Sequence, residues 1–157
     1  MCTNVQHPFT CIITGPSDSY KSVFTLKLIQ HAQQVITPPP GWIMYCYGEY
    51  QNISDNYPKV EFREGLPDLV PFDEKSRTLL VLDNLMIVQM IVDLFTKISH
   101  HRNLSVVDLT PNIFYKNEQL TLSLYSHYLC LLKKRSRCIT SGIFSASWEE
   151  CLYGGSI

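Results

Sequence analysis

Charge is scarce in this sequence. Only 17% of its 157 residues are Asp, Glu, Lys or Arg, and 13 basic side chains against 14 acidic ones leave a formal net charge of −1. That balance excludes a uniformly basic nucleic-acid binder but leaves room for a local basic patch. A long uninterrupted apolar run is also missing. The longest such stretch, residues 79–95, is broken by Asp83, Asn84, Gln89 and Asp93, so it reads as a strand followed by a helix and not as a membrane span. Residues 1–8 (MCTNVQHP) have neither a basic n-region nor an apolar h-region, so no secretory signal is expected and an intracellular site, cytoplasm or nucleus, is. No CxxC pair occurs. Cys2, Cys11, Cys46, Cys130, Cys138 and Cys151 are scattered, and Cys11, Cys46 and Cys130 fall inside apolar runs. Reduced thiols acting as small buried hydrophobes are the expectation.

What the sequence does have is apolar substance, 45% of its residues, enough for the core of one α/β domain of this length. Five short apolar runs recur: 9–14 (FTCIIT), 42–47 (WIMYCY), 78–83 (TLLVLD), 104–109 (LSVVDL) and 127–132 (HYLCLL). Their near-continuous hydrophobicity suits strands covered on both faces. Helical spacing marks 21–35, through Val23, Phe24, Leu26, Leu28, Ile29 and Ala32, and again 88–100, through Ile91, Leu94, Phe95 and Ile98. Strands alternating with helices predict a three-layer fold around a mostly parallel sheet. The Pro38-Pro39-Pro40-Gly41 run is expected to end the first helix. Residues 52–75, with Pro58, Gly65, Pro67 and Pro71, read as a surface excursion with room for a short edge strand or helical turn. The division expected is one α/β domain over 1–133, then a basic run and a divergent tail over 134–157.

The first strand runs into Gly15-Pro16-Ser17-Asp18-Ser19-Tyr20-Lys21-Ser22, and a helix follows. A phosphate-binding loop needs that context: backbone N–H groups and a helix N-terminus toward the phosphates, a lysine counter-charge and a hydroxyl for Mg²⁺. Gly15, Lys21 and Ser22 suit those roles. Tyr20 stands where the GxxxxGK[ST] pattern has glycine, and a tyrosine there takes positive φ only at a cost. Asp18 sets a carboxylate where a triphosphate would lie. At about 5 Å and an effective dielectric of about 20, that repulsion costs roughly 3 kcal/mol, or on the order of 100-fold in affinity. An incidental strand–turn–helix stays open as the plainer reading. The third run ends in Asp83, which is suited to holding Mg²⁺, and Asn84 follows, which can hydrogen-bond but cannot act as a general base. The fourth run ends Leu109-Thr110-Pro111-Asn112, and Pro111 offers neither a side-chain donor nor an N–H.

The run His7-Pro8-Phe9-Thr10, the loop at 15–22, 42–50 (WIMYCYGEY), Gly65-Leu66-Pro67, 79–86 (LLVLDNLM) and 94–114 (LFTKISHHRNLSVVDLTPNIF) stand in one order. Together they resemble the FtsK/HerA-type DNA-packaging ATPases of Polinton-like elements and adintovirus-like viruses, relatives of the poxvirus packaging ATPase, across residues 7–133. The resemblance implies a RecA-like ASCE P-loop fold with its parallel strands ordered 5-1-4-3-2. It also implies a homo-oligomeric ring that spends ATP to drive double-stranded DNA into a capsid. Gly15, Lys21 and Ser22 would match the phosphate loop, Asp83 the Mg²⁺-linked acid, and Arg102 a residue facing the neighbouring subunit's nucleotide. The departures fall on the chemistry. Asp18 and Tyr20 replace a glycine-rich loop, Asn84 replaces the acid after Asp83, Pro111 replaces a glutamine, and 138–157 no longer resembles the family. The expectation is a degenerate, C-terminally shortened copy in which ATP and Mg²⁺ binding is weakened and hydrolysis impaired. A non-catalytic module binding protein or DNA, or a relic without selected function, are the alternatives.

Three further features have plainer readings. His100 and His101 point about 100° apart on a helix and suit its C-terminal dipole better than a metal. The 133–137 run (KKRSR) reads as a solvated exit from a strand, with DNA phosphates as the alternative. Tyr45, Tyr47 and Tyr50 read as sheet and rim packing.

Overall fold

The computed structural model describes residues 4–16, 20–49, 56–66, 68, 74–85, 88–98, 103–112, 124–132 and 138–141. The strands are β1 (Val5–Gln6), β2 (Thr10–Thr14), β3 (Ile36–Thr37), β4 (Trp42–Tyr47), β5 (Val60–Glu64), β6 (Thr78–Asp83), β7 (Leu104–Thr110), β8 (Tyr128–Leu132) and β9 (Cys138–Ser141). The helices are α1 (Lys21–Gln30), α2 (Ala32–Val35) and α3 (Val88–Asp93), the last running into a π-helical segment at Leu94–Ile98.

Each of the five apolar runs contains a strand, and all five lie in one seven-stranded sheet ordered β5-β4-β6-β7-β2-β8-β9. Six strands are parallel and β9 pairs antiparallel with β8. Among the five runs, counted in chain order, the spatial order is 5-1-4-3-2, as the resemblance implies. Two additions flank them. β5 forms a parallel edge strand out of the proline-rich excursion, and β9, in the stretch set apart as a tail, extends the other edge. β1 and β3 form a separate parallel pair.

Both sheet faces are covered, which is why β6 and β7 are buried along their whole length. Alternate residues divide into two cores. Ile13, Tyr45, Val81 and Val107 pack with Phe24, Leu28 and Ile29 of α1. Ile12, Met44, Leu80, Leu82 and Val106 pack with Ile91, Leu94 and Phe95. Phe24 is fully buried, and its truncation to Ala would cost about 3–5 kcal/mol. Cys11, Cys46 and Cys130 are buried thiols, and burial pushes Cys46 up to about 11, which keeps it protonated.

Three expectations need correction. The helix expected over 21–35 breaks at His31, where ψ is 8° and both the backbone N–H and the ring Nδ1 meet the Lys27 carbonyl, at 3.2 and 2.8 Å. That helical stretch also ends at Val35, before the prolines, because Ile36 turns extended to pair with β1. The second helix widens to π geometry from Leu94, where the Thr96 hydroxyl donates to the Val92 carbonyl at 2.8 Å. Threonine bonding back to its own helix in this way loosens the regular ladder. Among the described residues, no helix is long and apolar enough to cross a membrane.

Candidate functional site

Parallel pairing sets the carboxyl ends of β2, β6 and β7 along one edge of the sheet, where open α/β folds bind ligands. Three backbone bonds tie the ends together. Gly15 N–H donates to the Thr110 carbonyl at 3.3 Å, Asn84 N–H to Leu109 at 3.1 Å, and Gly48 N–H to Asp83 at 3.2 Å. The loop after β2 therefore starts beside the ends of the third and fourth runs.

Tyr20 is the N-cap of α1 and adopts the left-handed conformation, φ 59° and ψ 34°, without a side-chain cap. It occupies the geometry for which glycine is suited, at a cost of about 1–2 kcal/mol. Its side chain is exposed. Lys21 and Ser22 open the helix. The Lys21 ammonium donates to the Gly15 and Pro16 carbonyls at 2.7 and 3.1 Å. Burial holds its pKa below the usual lysine value, opposed by the charge of Asp83. Ser22 Oγ donates to Asp83 Oδ2 at 3.2 Å. Asp83, at the tip of β6, is 8% exposed.

The structure thus brings Gly15, Pro16, Lys21, Ser22 and Asp83 into one cluster, with Tyr20 capping the helix that presents it. Ser17, Asp18 and Ser19 lie outside the described residues, as do Arg102, His100 and His101, the 133–137 basic run and residues 142–157. Asn84 is exposed, with φ 54°. Asparagine tolerates that conformation better than most residues, so its place after Asp83 has a backbone reason that composition alone does not disclose. Gly48 lets β4 come close to it, since a Cβ there would lie 3.2 Å from the Asn84 carbonyl. Pro111 is exposed just beyond β7 and has no donor to offer.

Two residues escape the sequence reading. Tyr45 packs as expected, 1% exposed with its ring centroid 5.3 Å from that of Phe62, but its hydroxyl also donates to Asp83 Oδ2 at 2.6 Å. Burial and the Asp83 carboxylate hold that phenol far above its usual range. The available signal was a tyrosine inside an apolar strand, whose hydroxyl needs a partner. Asp108 is the second. It lies one register step from Asp83, opposite Leu82, and is 4% exposed. Its carboxyl is pushed up to about 7 by burial and then by Asp83.

A hydroxyl and a carboxylate facing each other at a helix N-terminus fit Mg²⁺, which takes one or two protein oxygens and completes its shell with water and phosphate. Among the described residues, no group of three or more His, Cys, Asp or Glu side chains makes a self-sufficient metal site. Any cation here would thus depend on its ligand's oxygens. No protein-family model matches the chain, and no curated protein matches it.

Proposed function

We propose that this chain is a P-loop ATPase-like domain of the DNA-packaging type, one that binds ATP with Mg²⁺ weakly and hydrolyses it poorly. The observation that carries the reading is the Ser22–Asp83 hydrogen bond, which joins the start of α1 to the tip of the third apolar run, with Lys21 beside Ser22 at the same helix end. The strand order 5-1-4-3-2 supports it. Ser22 and Asp83 would hold the cation, which when bound neutralises phosphate charge and polarises the phosphoryl oxygens. Lys21 would stabilise charge on the phosphoryl group being transferred, and to do so its ammonium must leave the two carbonyls it now holds. Asn84 supplies no general base and Pro111 no donor, so these two positions neither activate water nor report on the γ-phosphate. Double-stranded DNA as cargo and a homo-oligomeric ring belong to the same reading and rest on the resemblance of residues 7–133.

A second reading, a non-catalytic interaction module, is favoured by one observation. Tyr20 and Val23, large apolar side chains at the start of α1, are both exposed.

Thermal unfolding in a titration of MgATP tests the first reading. Wild type should be stabilised by about 2.7 kcal/mol at a hundred times its Kd, and Lys21→Ala should lose that response. No shift at millimolar nucleotide would sink the proposal. A shift that Lys21→Ala retains would move binding away from this loop.

A further inference from the structure

We infer that Tyr45 is a positioning residue of the Ser22–Asp83 pair, holding the carboxylate in the orientation that a magnesium–nucleoside triphosphate complex requires. The inference rests on the reading proposed above and adds to it a residue outside the loop and strand-end motifs.

Tyr45 pairs with Val81, so Asp83 lies two residues further along the neighbouring strand and on the same sheet face. A phenol reaching diagonally toward the carboxyl edge meets the Asp83 side chain, which accounts for the 2.6 Å contact. The packing role alone would be served by phenylalanine. The hydroxyl is worth burying here because it meets a carboxylate, and hydrogen bonds to an ionised acceptor are about twice as strong as neutral ones.

Both donors converge on one oxygen. Tyr45 Oη and Ser22 Oγ each donate to Asp83 Oδ2, at 2.6 and 3.2 Å, and among the described residues no side chain donates to Oδ1. Two donors on one oxygen fix the rotation of the carboxylate and leave the other oxygen as the available acceptor. Ser22 is the donor that must reorient when its oxygen is offered to a cation. Tyr45, on the rigid interior of the sheet, has no such second duty. It keeps Asp83 in place while Ser22 exchanges partners, the task of an outer partner in a metal site.

The test compares nucleotide affinity in Mg²⁺ with affinity in EDTA, for the full chain and for Tyr45→Phe, which removes the hydroxyl and keeps the ring. The ratio of the two affinities should fall about tenfold in Tyr45→Phe, within the range found for outer partners of metal ligands. An unchanged ratio, with wild type still binding MgATP, would overturn the inference and leave the proposed function standing. Equal losses in Mg²⁺ and EDTA would reduce Tyr45 to packing, again against the inference. Wild type that binds nucleotide in neither buffer would remove both. A proton NMR spectrum gives a readout free of nucleotide: a slowly exchanging, downfield hydroxyl proton present in wild type and lost in both Tyr45→Phe and Asp83→Asn. Its absence from wild type would contradict the contact itself.

Discussion

Asp83 and Asp108 are both buried carboxyls on adjacent central strands, one register step apart, yet they face opposite sides of the sheet. Asp83 shares its face with Val81 and Tyr45, beneath α1, and receives two hydroxyl donors on one oxygen. Asp108 lies opposite Leu82 and shares its face with Val106, the face that packs with Ile91 and Leu94, and no hydrogen bond from a described side chain reaches it. Burial acts on both, and what separates them is donors. On the function proposed above, the carboxylate that accepts two hydroxyls at a strand tip is the one that would hold a cation. One set into an apolar layer is a liability to folding.

The sharpest way to break that contrast is to neutralise Asp108. Its folded pKa is raised from the ordinary 3.8 to about 7. The folded state therefore binds the extra proton between those values, and stability from this group falls as pH climbs from about 4 through about 7. Keeping the ionised form buried above pH 7 costs up to about 4 kcal/mol. Asp108→Asn should thus be more stable than wild type by up to about that amount at pH 8, in urea unfolding, and by almost nothing at pH 4. A difference that does not vary with pH would mean Asp108 is not the buried titrating group.

Asp83→Asn should move stability the other way. The amide can still accept from Tyr45 and Ser22 but without charge, so about 1–2 kcal/mol is lost. A gain would show that Asp83 is as ill-housed as Asp108 and would remove the contrast.

The smallest effect concerns the loop. Tyr20→Gly relieves a left-handed tyrosine and should stabilise by about 1 kcal/mol, the steric relief being partly offset by the greater freedom of glycine in the unfolded chain. Loss of stability on that change would mean that the exposed ring makes contacts that outweigh the backbone strain.

The sheet was legible because strands buried on both faces need continuous apolar runs, and the 42–47 and 78–83 runs emerge with their limits unchanged. Helix limits were less so. The break at His31 depends on two contacts to one carbonyl, and the π segment on a threonine hydroxyl, neither of which periodicity encodes. That Lys21, Ser22 and Asp83 meet at one end of the sheet was legible from their spacing relative to strand ends. Tyr45 was not, because a tyrosine in an apolar strand declares a need for a partner without saying which. Asp108, in the middle of LSVVDL, does not stand out because the surrounding hydrophobicity is what identifies the strand. Asn84 shows the reverse case. As a sequence it reads as a lost acid, while its positive φ gives it a turn-forming role that glutamate would fill at a cost.

Of the two buried aspartates, only Asp83 belongs to the proposed nucleotide site, and the decisive measurement is MgATP affinity in the paired variants. Asp83→Asn should weaken binding by at least about tenfold, whereas Asp108→Asn, measured at pH 8 under the same conditions, should stay within about twofold of wild type. Equal affinities for Asp83→Asn and wild type, or an equal loss in both variants, would contradict the claim.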